Sequence, residues 1–178
     1  MINADFIARA EKIKLAIFDV DGIFTNGKVY MDDHGVETKA FYVPDGHGIK
    51  LLQQVGVEVA IISGRDAPGV TFRMEQLGVK HIFQGHVHKI PVYEKLLQTL
   101  HLNDENVIYM GDDLPDLPLL KRVGLAVTVP NATKEILARV PFVTKAKGGK
   151  GAIREMVEAL LQAQGKWEEV LKQYGTRE

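Results

Sequence analysis

Six short apolar runs punctuate the chain, at Leu15 to Phe18, Val57 to Ile62, His81 to Phe83, Val107 to Met110, Leu125 to Val129, and Phe142 to Val143. Between them apolar residues recur every three or four positions, which predicts helices over 46–55, 69–77, 89–100, 115–123, 134–139 and 151–164. The first of these places Ile49, Leu51, Leu52 and Val55 at helical spacing, and Gly56 follows as a stop. Uniformly apolar strands that alternate with helices belong to parallel sheets buried on both faces. The pattern therefore predicts an α/β fold, a central parallel sheet flanked by helices. Met1 to Lys12 reads as a short amphipathic helix, and the charged tail over 165–178, with Trp167, as a peripheral one.

One stretch breaks the alternation. Lys28 to Asp32 and Val36 to Val43 are rich in β-branched and aromatic residues, with a turn at Asp33-His34-Gly35 between them. This predicts a β-hairpin, about 27–43, inserted after the first strand. It stands beside the acids that end that strand, where it serves as a flap, as an oligomer contact, or as a plain surface hairpin.

Composition narrows the picture. A length of 178 residues allows one good core, so a single domain over 1–178 is expected. The net charge of -1 gives no field to attract nucleic acid or an anionic membrane. The chain has no cysteine, which removes disulfides, thiolate metal sites and cysteine nucleophiles together. Acids interrupt the first residues where a signal peptide needs an apolar core, and no later run reaches the length of a membrane span. A cytoplasmic protein is expected.

The chemistry is expected where apolar runs end, because ligands of open parallel sheets bind beyond the carboxyl ends of the strands. The first run ends in Asp19-Val20-Asp21-Gly22. Two acids so close resist desolvation and repel each other, so a metal, a cationic partner or a catalytic task must hold them there. The second run leads into Ser63, Gly64 and Arg65; Val107 to Met110 leads into Gly111, Asp112, Asp113 and, one turn on, Asp116. Lys89 opens a predicted helix after a glycine-containing loop. Carboxylates for a hard cation, with a hydroxyl, a lysine and an arginine for an anion, match magnesium and phosphoryl transfer better than zinc. Each piece alone is weak, since Asp-x-Asp-Gly occurs in turns and Asp113 has the position of a helix cap. Their ordered conjunction at strand ends carries the reading. His81, His86 and His88 lack a further ligand at a recognised spacing, so no histidine metal site is expected. Gly148-Gly149-Lys150-Gly151 lacks P-loop spacing and reads as a flexible approach to the last helix.

In this order the residues resemble the haloacid dehalogenase (HAD) superfamily of phosphatases across nearly the whole chain. Asp19-Val20-Asp21-Gly22, Ser63, Lys89, and Gly111-Asp112-Asp113-Leu114-Pro115-Asp116 match its four motifs. Further strings are similar to a small, nearly capless branch that dephosphorylates 3-deoxy-D-manno-octulosonate 8-phosphate in lipopolysaccharide biosynthesis. These are Lys39-Ala40-Phe41, Asp45-Gly46-His47-Gly48-Ile49-Lys50, Gln84-Gly85, Gly148 to Ala152 with Arg154-Glu155, and Ala163-Gln164-Gly165-Lys166.

The resemblance implies a Rossmann-like HAD fold without a large cap. It implies Asp19 as nucleophile, Asp21 as acid and base, and Ser63 and Lys89 on the phosphoryl group. Magnesium would be held by Asp19, the Asp21 backbone carbonyl and Asp112, with Asp113 and Asp116 orienting Lys89 or metal-bound water. Substrate contacts would fall on Asp21, Tyr42, Val43, Pro44, Asp45, Gly46, Lys50, Arg65, Arg73 and Lys89, and His47 is either a further contact or an exposed polar residue. Pro44 and Lys50 stand where arginine is common in the branch, which bears on substrate preference and keeps a nonulosonate 9-phosphate open as the alternative. The branch also implies a homotetramer, with hairpins assembled together and the tail of one subunit at a neighbour's site. Readings of another class are a receiver-like signalling domain, which is shorter, and a non-catalytic binding subunit, against which the intact Asp19, Asp21, Lys89 and Asp112 count.

Overall fold

A computed structural model describes residues 2–175. Six parallel strands form the central sheet: β1 (Leu15–Phe18), β4 (Glu58–Ile62), β5 (His81–Phe83), β6 (Val107–Met110), β7 (Leu125–Thr128) and β8 (Phe142–Val143), in the order β5-β4-β1-β6-β7-β8. β2 (Tyr30–Met31) and β3 (Glu37–Thr38) form a separate antiparallel ribbon. The helices are α1 (Ala4–Ala10), α2 (Val43–Gln54), α3 (Pro68–Gln76), α4 (Ile90–Leu100), α5 (Leu117–Leu120), α6 (Lys134–Leu137), α7 (Ala152–Ala163) and α8 (Trp167–Gln173).

β1 lies in the middle because it has no polar side chain to keep in water. Leu15, Ala16, Ile17 and Phe18 are all fully buried, and each large one contributes roughly 1.5–3 kcal/mol by leaving water. It pairs with β4 on one side (Phe18 opposite Ile61) and β6 on the other (Phe18 opposite Met110). That register brings the residues following β1, β4 and β6 to one edge. Against the sheet, α7 buries Ala152, Ile153, Met156, Val157 and Leu160, a helical stripe that packs on α1 and α2.

The expected strands and most of the helices are present, with three local differences. The hairpin strands over 28–32 and 36–43 shrink to two residues each, and Val43 opens α2 instead of ending a strand. Pro44 explains the earlier helix start, since its fixed φ and missing N–H suit a first turn. The helix expected over 115–123 divides into a tight turn, Leu114–Asp116, and α5, because Pro115 and Pro118 both lack the N–H that a continuous helix needs.

The third difference concerns Gly148 to Gly151, which is a packed segment. Gly149 N–H donates to Ile23 O (2.9 Å), and a Cβ on Gly148 would lie 1.6 Å from Gly22 O. The loop thus rests flush against the turn that follows Asp19. Gly148→Ala should lower stability by about 2–3 kcal/mol, because backbone meets backbone and neither yields. Gly69→Ala, in α3 with open space around it, should be neutral or stabilising. Thermal melts of the two variants check this, and equal melting temperatures would refute it.

Candidate active site

At the carboxyl edge of the sheet a cleft of about 280 Å³ is lined by Asp19, Asp21, Gly27, Ser63, Gly64, Arg65, Lys89, Asp112, Asp113, Pro115 and Asp116. Three crossovers deliver these groups. Asp19 follows β1, and its N–H is held by Met110 O (2.9 Å); Ser63 follows β4, its N–H held by Phe83 O (2.9 Å); Asp112 to Asp116 follow β6. Lys89 immediately precedes α4.

Lys89 Nζ is buried among anions. It donates to Asp19 Oδ1 (2.6 Å) and Asp116 Oδ1 (2.6 Å) and touches Tyr109 Oη (3.0 Å), and Tyr109 in turn donates to Asp116 Oδ1 (2.6 Å). The other Asp116 oxygen accepts the Asp112 N–H (2.9 Å) and Asp113 N–H (3.1 Å). Asp116 is therefore saturated and serves to hold Lys89. Asp113 is exposed, and its Oδ1 caps the turn through the Leu114 N–H (2.8 Å) instead of reaching Lys89.

Asp19, Asp112 and Asp116 bring carboxylate oxygens within 4.8 Å of one another. Burial first, then Asp116, push Asp19 up to about 7 against the pull of Lys89; burial and Asp19 push Asp112 up to about 8. Burial works against the charge of Lys89, but Asp19 and Asp116 outweigh it and raise its pKa. One lysine thus leaves the cluster anionic. Among the described residues no donor reaches the Asp112 carboxylate, which packs over Gly22, where a Cβ would fall 2.0 Å from Oδ2. Bare Gly22 also takes φ +93°. Oxygen ligands and uncompensated charge fit a hard divalent cation, with Asp19 and Asp112 the groups able to hold it. The Asp21 side chain is outside this trio and turns to Lys39 (2.5 Å).

The comparisons with known proteins bear on the same residues. Residues 79–156 match a model described as haloacid dehalogenase-like hydrolase. The 3-deoxy-D-manno-octulosonate 8-phosphate phosphatase KdsC of Escherichia coli (strain K12) is 46% identical over 168 residues, 94% of this chain and 89% of that protein. This chain belongs to the KdsC phosphatase family.

Solved structures of the KdsC family superpose closely on it. The Yersinia pestis phosphatase has TM-score 0.92 and 44% identity, covering 94% of this chain and 90% of that chain. The Moraxella catarrhalis phosphatase, in complex with magnesium ion, phosphate ion and KDO, has TM-score 0.93 and 38% identity, covering 96% of this chain and 98% of that one.

The remaining family positions lie away from the cleft lining. Tyr42 and Val43 are exposed at the start of α2, Pro44 is half-buried and Lys50 is exposed. Gly46 backs onto Arg73 of α3, so closely that a Cβ would come 2.6 Å from Nη2. Asp45, expected to contact the sugar, is 1% exposed and caps α7 through Gly151 N–H (3.1 Å) and Arg154 N–H (2.8 Å). His47 bonds Tyr174 Oη (2.9 Å) and Arg154 Nη1 (3.1 Å), tying α8 to α2. His81 pairs loosely with Glu58 (3.7 Å), and the described residues contain no histidine metal cluster.

Three side chains at the site have roles that sequence reasoning does not assign. Tyr109 reads as one more apolar residue of β6, although a hydroxyl inside a buried strand signals a polar partner. Lys39 falls in the Lys39-Ala40-Phe41 string and Glu37 in the expected hairpin, with no partner assigned to either.

Carboxyl groups whose folded pKa lies above the unfolded value bind protons more tightly when folded. They favour the fold at low pH, and that contribution disappears as pH rises from the ordinary 3.8 through about 7 for Asp19 and about 8 for Asp112. Metal-free protein should therefore lose stability across this window. Magnesium, which needs the deprotonated groups, should restore more stability the higher the pH. Melting scans with chelator and with magnesium check this; a magnesium increment independent of pH would contradict it.

Proposed function

We propose that this protein is a magnesium-dependent phosphatase that hydrolyses 3-deoxy-D-manno-octulosonate 8-phosphate to the free sugar acid and phosphate, in lipopolysaccharide biosynthesis. The observation that carries the proposal is the anionic trio Asp19, Asp112 and Asp116 around Lys89, in a chain matching KdsC over 94% of its length.

Asp19 attacks phosphorus in line through the carboxylate oxygen not held by Lys89. As that O–P bond forms, the ester P–O bond breaks, and Asp21 gives its proton to the leaving sugar oxygen. Asp21 then takes a proton from water, whose oxygen attacks the aspartyl-phosphate and frees Asp19 and phosphate. Ser63, 3% exposed at the cleft floor, and Lys89 hold the phosphoryl oxygens as charge builds on them. Magnesium, held by Asp19, the Asp21 backbone carbonyl and Asp112, would supply the remaining positive charge. Asp116 and Tyr109 keep Lys89 in place. Arg65, within the cleft, answers the sugar end of the substrate, whose carboxylate calls for a second cation.

The working form in this proposal is a cytoplasmic homotetramer. No helix among the described residues is long and apolar enough to cross a membrane. The hairpin exposes Val29 (47%), Tyr30 (45%), Met31 (62%) and Val36 (59%), an apolar ribbon suited to assembly with its copies. A neighbouring copy, its tail included, would then close the open cleft and exclude water.

Phosphate release from a panel of sugar phosphates, with magnesium, should be far faster for 3-deoxy-D-manno-octulosonate 8-phosphate than for the rest. Comparable rates across the panel, or preference for a nonulosonate 9-phosphate, would remove that substrate. Asp19→Asn should reduce turnover by on the order of ten-thousand-fold or more while the fold survives, and retained activity would deny Asp19 the nucleophile's role. Sedimentation should give a tetramer; a stable monomer at assay concentration would exclude the shared cleft.

A further inference from the structure

From Asn26 to Ala40 every residue is exposed except Glu37 and Lys39. They stand two apart, so the strand period turns both to the same face. That face looks into the cleft. The Lys39 side chain is only 3% accessible, and its Nζ lies 2.5 Å from Asp21 Oδ1 and 2.6 Å from Glu37 Oε1, the latter an ion pair outside hydrogen-bond geometry. Arg65 completes the ring, with Nη2 2.5 Å from Glu37 Oε2 and Nε 3.6 Å from Asp21 Oδ2. Lys39 and Arg65 hold the Glu37 carboxyl below its ordinary range, Lys39 contributing more, so Glu37 is a fixed anion in the ring.

A buried ammonium on an otherwise solvated ribbon has no apolar reason to be there. Its position separates the two oxygens of Asp21. Lysine has donors only, so Oδ1 must accept from it; Thr25 Oγ1 lies against the same oxygen at 3.5 Å. Oδ2 has no hydrogen-bond partner among the described residues. Oδ2 is thus the oxygen without a committed donor, buried in the ring with Arg65 Nε 3.6 Å away.

We propose that Lys39 is the positioning residue of Asp21: by holding Oδ1 it leaves Oδ2 to exchange the proton with the leaving oxygen, and it joins the hairpin to the chemistry. This role rests on Asp21 acting as acid and base. It gives the hairpin a task within its own subunit, apart from any contact between copies.

The test compares two substrates of the full chain with magnesium: the sugar phosphate, whose alkoxide must be protonated as it leaves, and 4-nitrophenyl phosphate, whose leaving group needs no proton. Lys39→Met should lower kcat/KM for the sugar phosphate by about 10–100-fold, most of it in kcat, and change that for 4-nitrophenyl phosphate by less than about three-fold. Lys39→Arg, which keeps charge and donors, should recover to within about ten-fold of the wild type. Equal losses on both substrates, or no loss on either, would overturn the proposal. Asp21→Asn separates the failures. If it shows the same leaving-group dependence and Lys39→Met does not, Lys39 alone is excluded; if Asp21→Asn shows none, the acid–base assignment falls with it.

Discussion

Three carboxylates crowded within 4.8 Å at the buried end of a sheet, with one lysine among them, are the constraint on which the rest of this structure depends. Such a cluster opposes its own burial, and much of the surrounding sequence consists of groups that make it tolerable. Lys89 neutralises part of the charge, and Tyr109 with the Asp112 and Asp113 amides saturates Asp116. Gly22 lacks the Cβ that would strike Asp112, and Gly148 lies bare against Gly22 O so that the last loop can brace the turn. What is left over, negative charge on Asp19 and Asp112, is the capacity to take a cation and, with it, a phosphoryl group.

The fold was legible because its signal is local. Uniformly apolar runs such as Leu15 to Phe18 have no face to offer water, so parallel strands covered on both sides followed from them, and the strand ends pointed to Asp19, Ser63 and Asp112. Elements ruled by proline were read less well. Pro44 moves the start of α2 into the expected hairpin strand, and Pro115 with Pro118 divides what looked like a single helix. Roles that depend on long-range contact left little trace. The resemblance places Asp45 among the substrate contacts; that its carboxylate also caps α7, more than a hundred residues on, left no local trace. Lys39 was legible as part of the Lys39-Ala40-Phe41 string and Glu37 as a hairpin residue, but their ion pairs were not, because the Asp21 and Arg65 that bury them are distant in sequence or on another loop.

A small protein with no large cap among its described residues must still keep its acid, its nucleophile and its phosphoryl site from bulk water. Here the local answer is electrostatic. The hairpin contributes two paired residues per strand and little apolar packing of its own, so the ring Asp21, Lys39, Glu37 and Arg65 ties it to the cleft. Asp45, His47 and Arg154 join α2 to α7, and His47 with Tyr174 joins α2 to the end of α8.

The central claim is that Asp19 uses the excess charge of this cluster to attack phosphorus. Rapid acid quenching during turnover of a radiolabelled phosphoester, followed by peptide mapping, addresses it most directly. An acid-stable, base-labile label on the peptide containing Asp19, formed and lost at rates compatible with turnover, is the predicted result. Full turnover with no label on that peptide, or with the label on another residue, would contradict it.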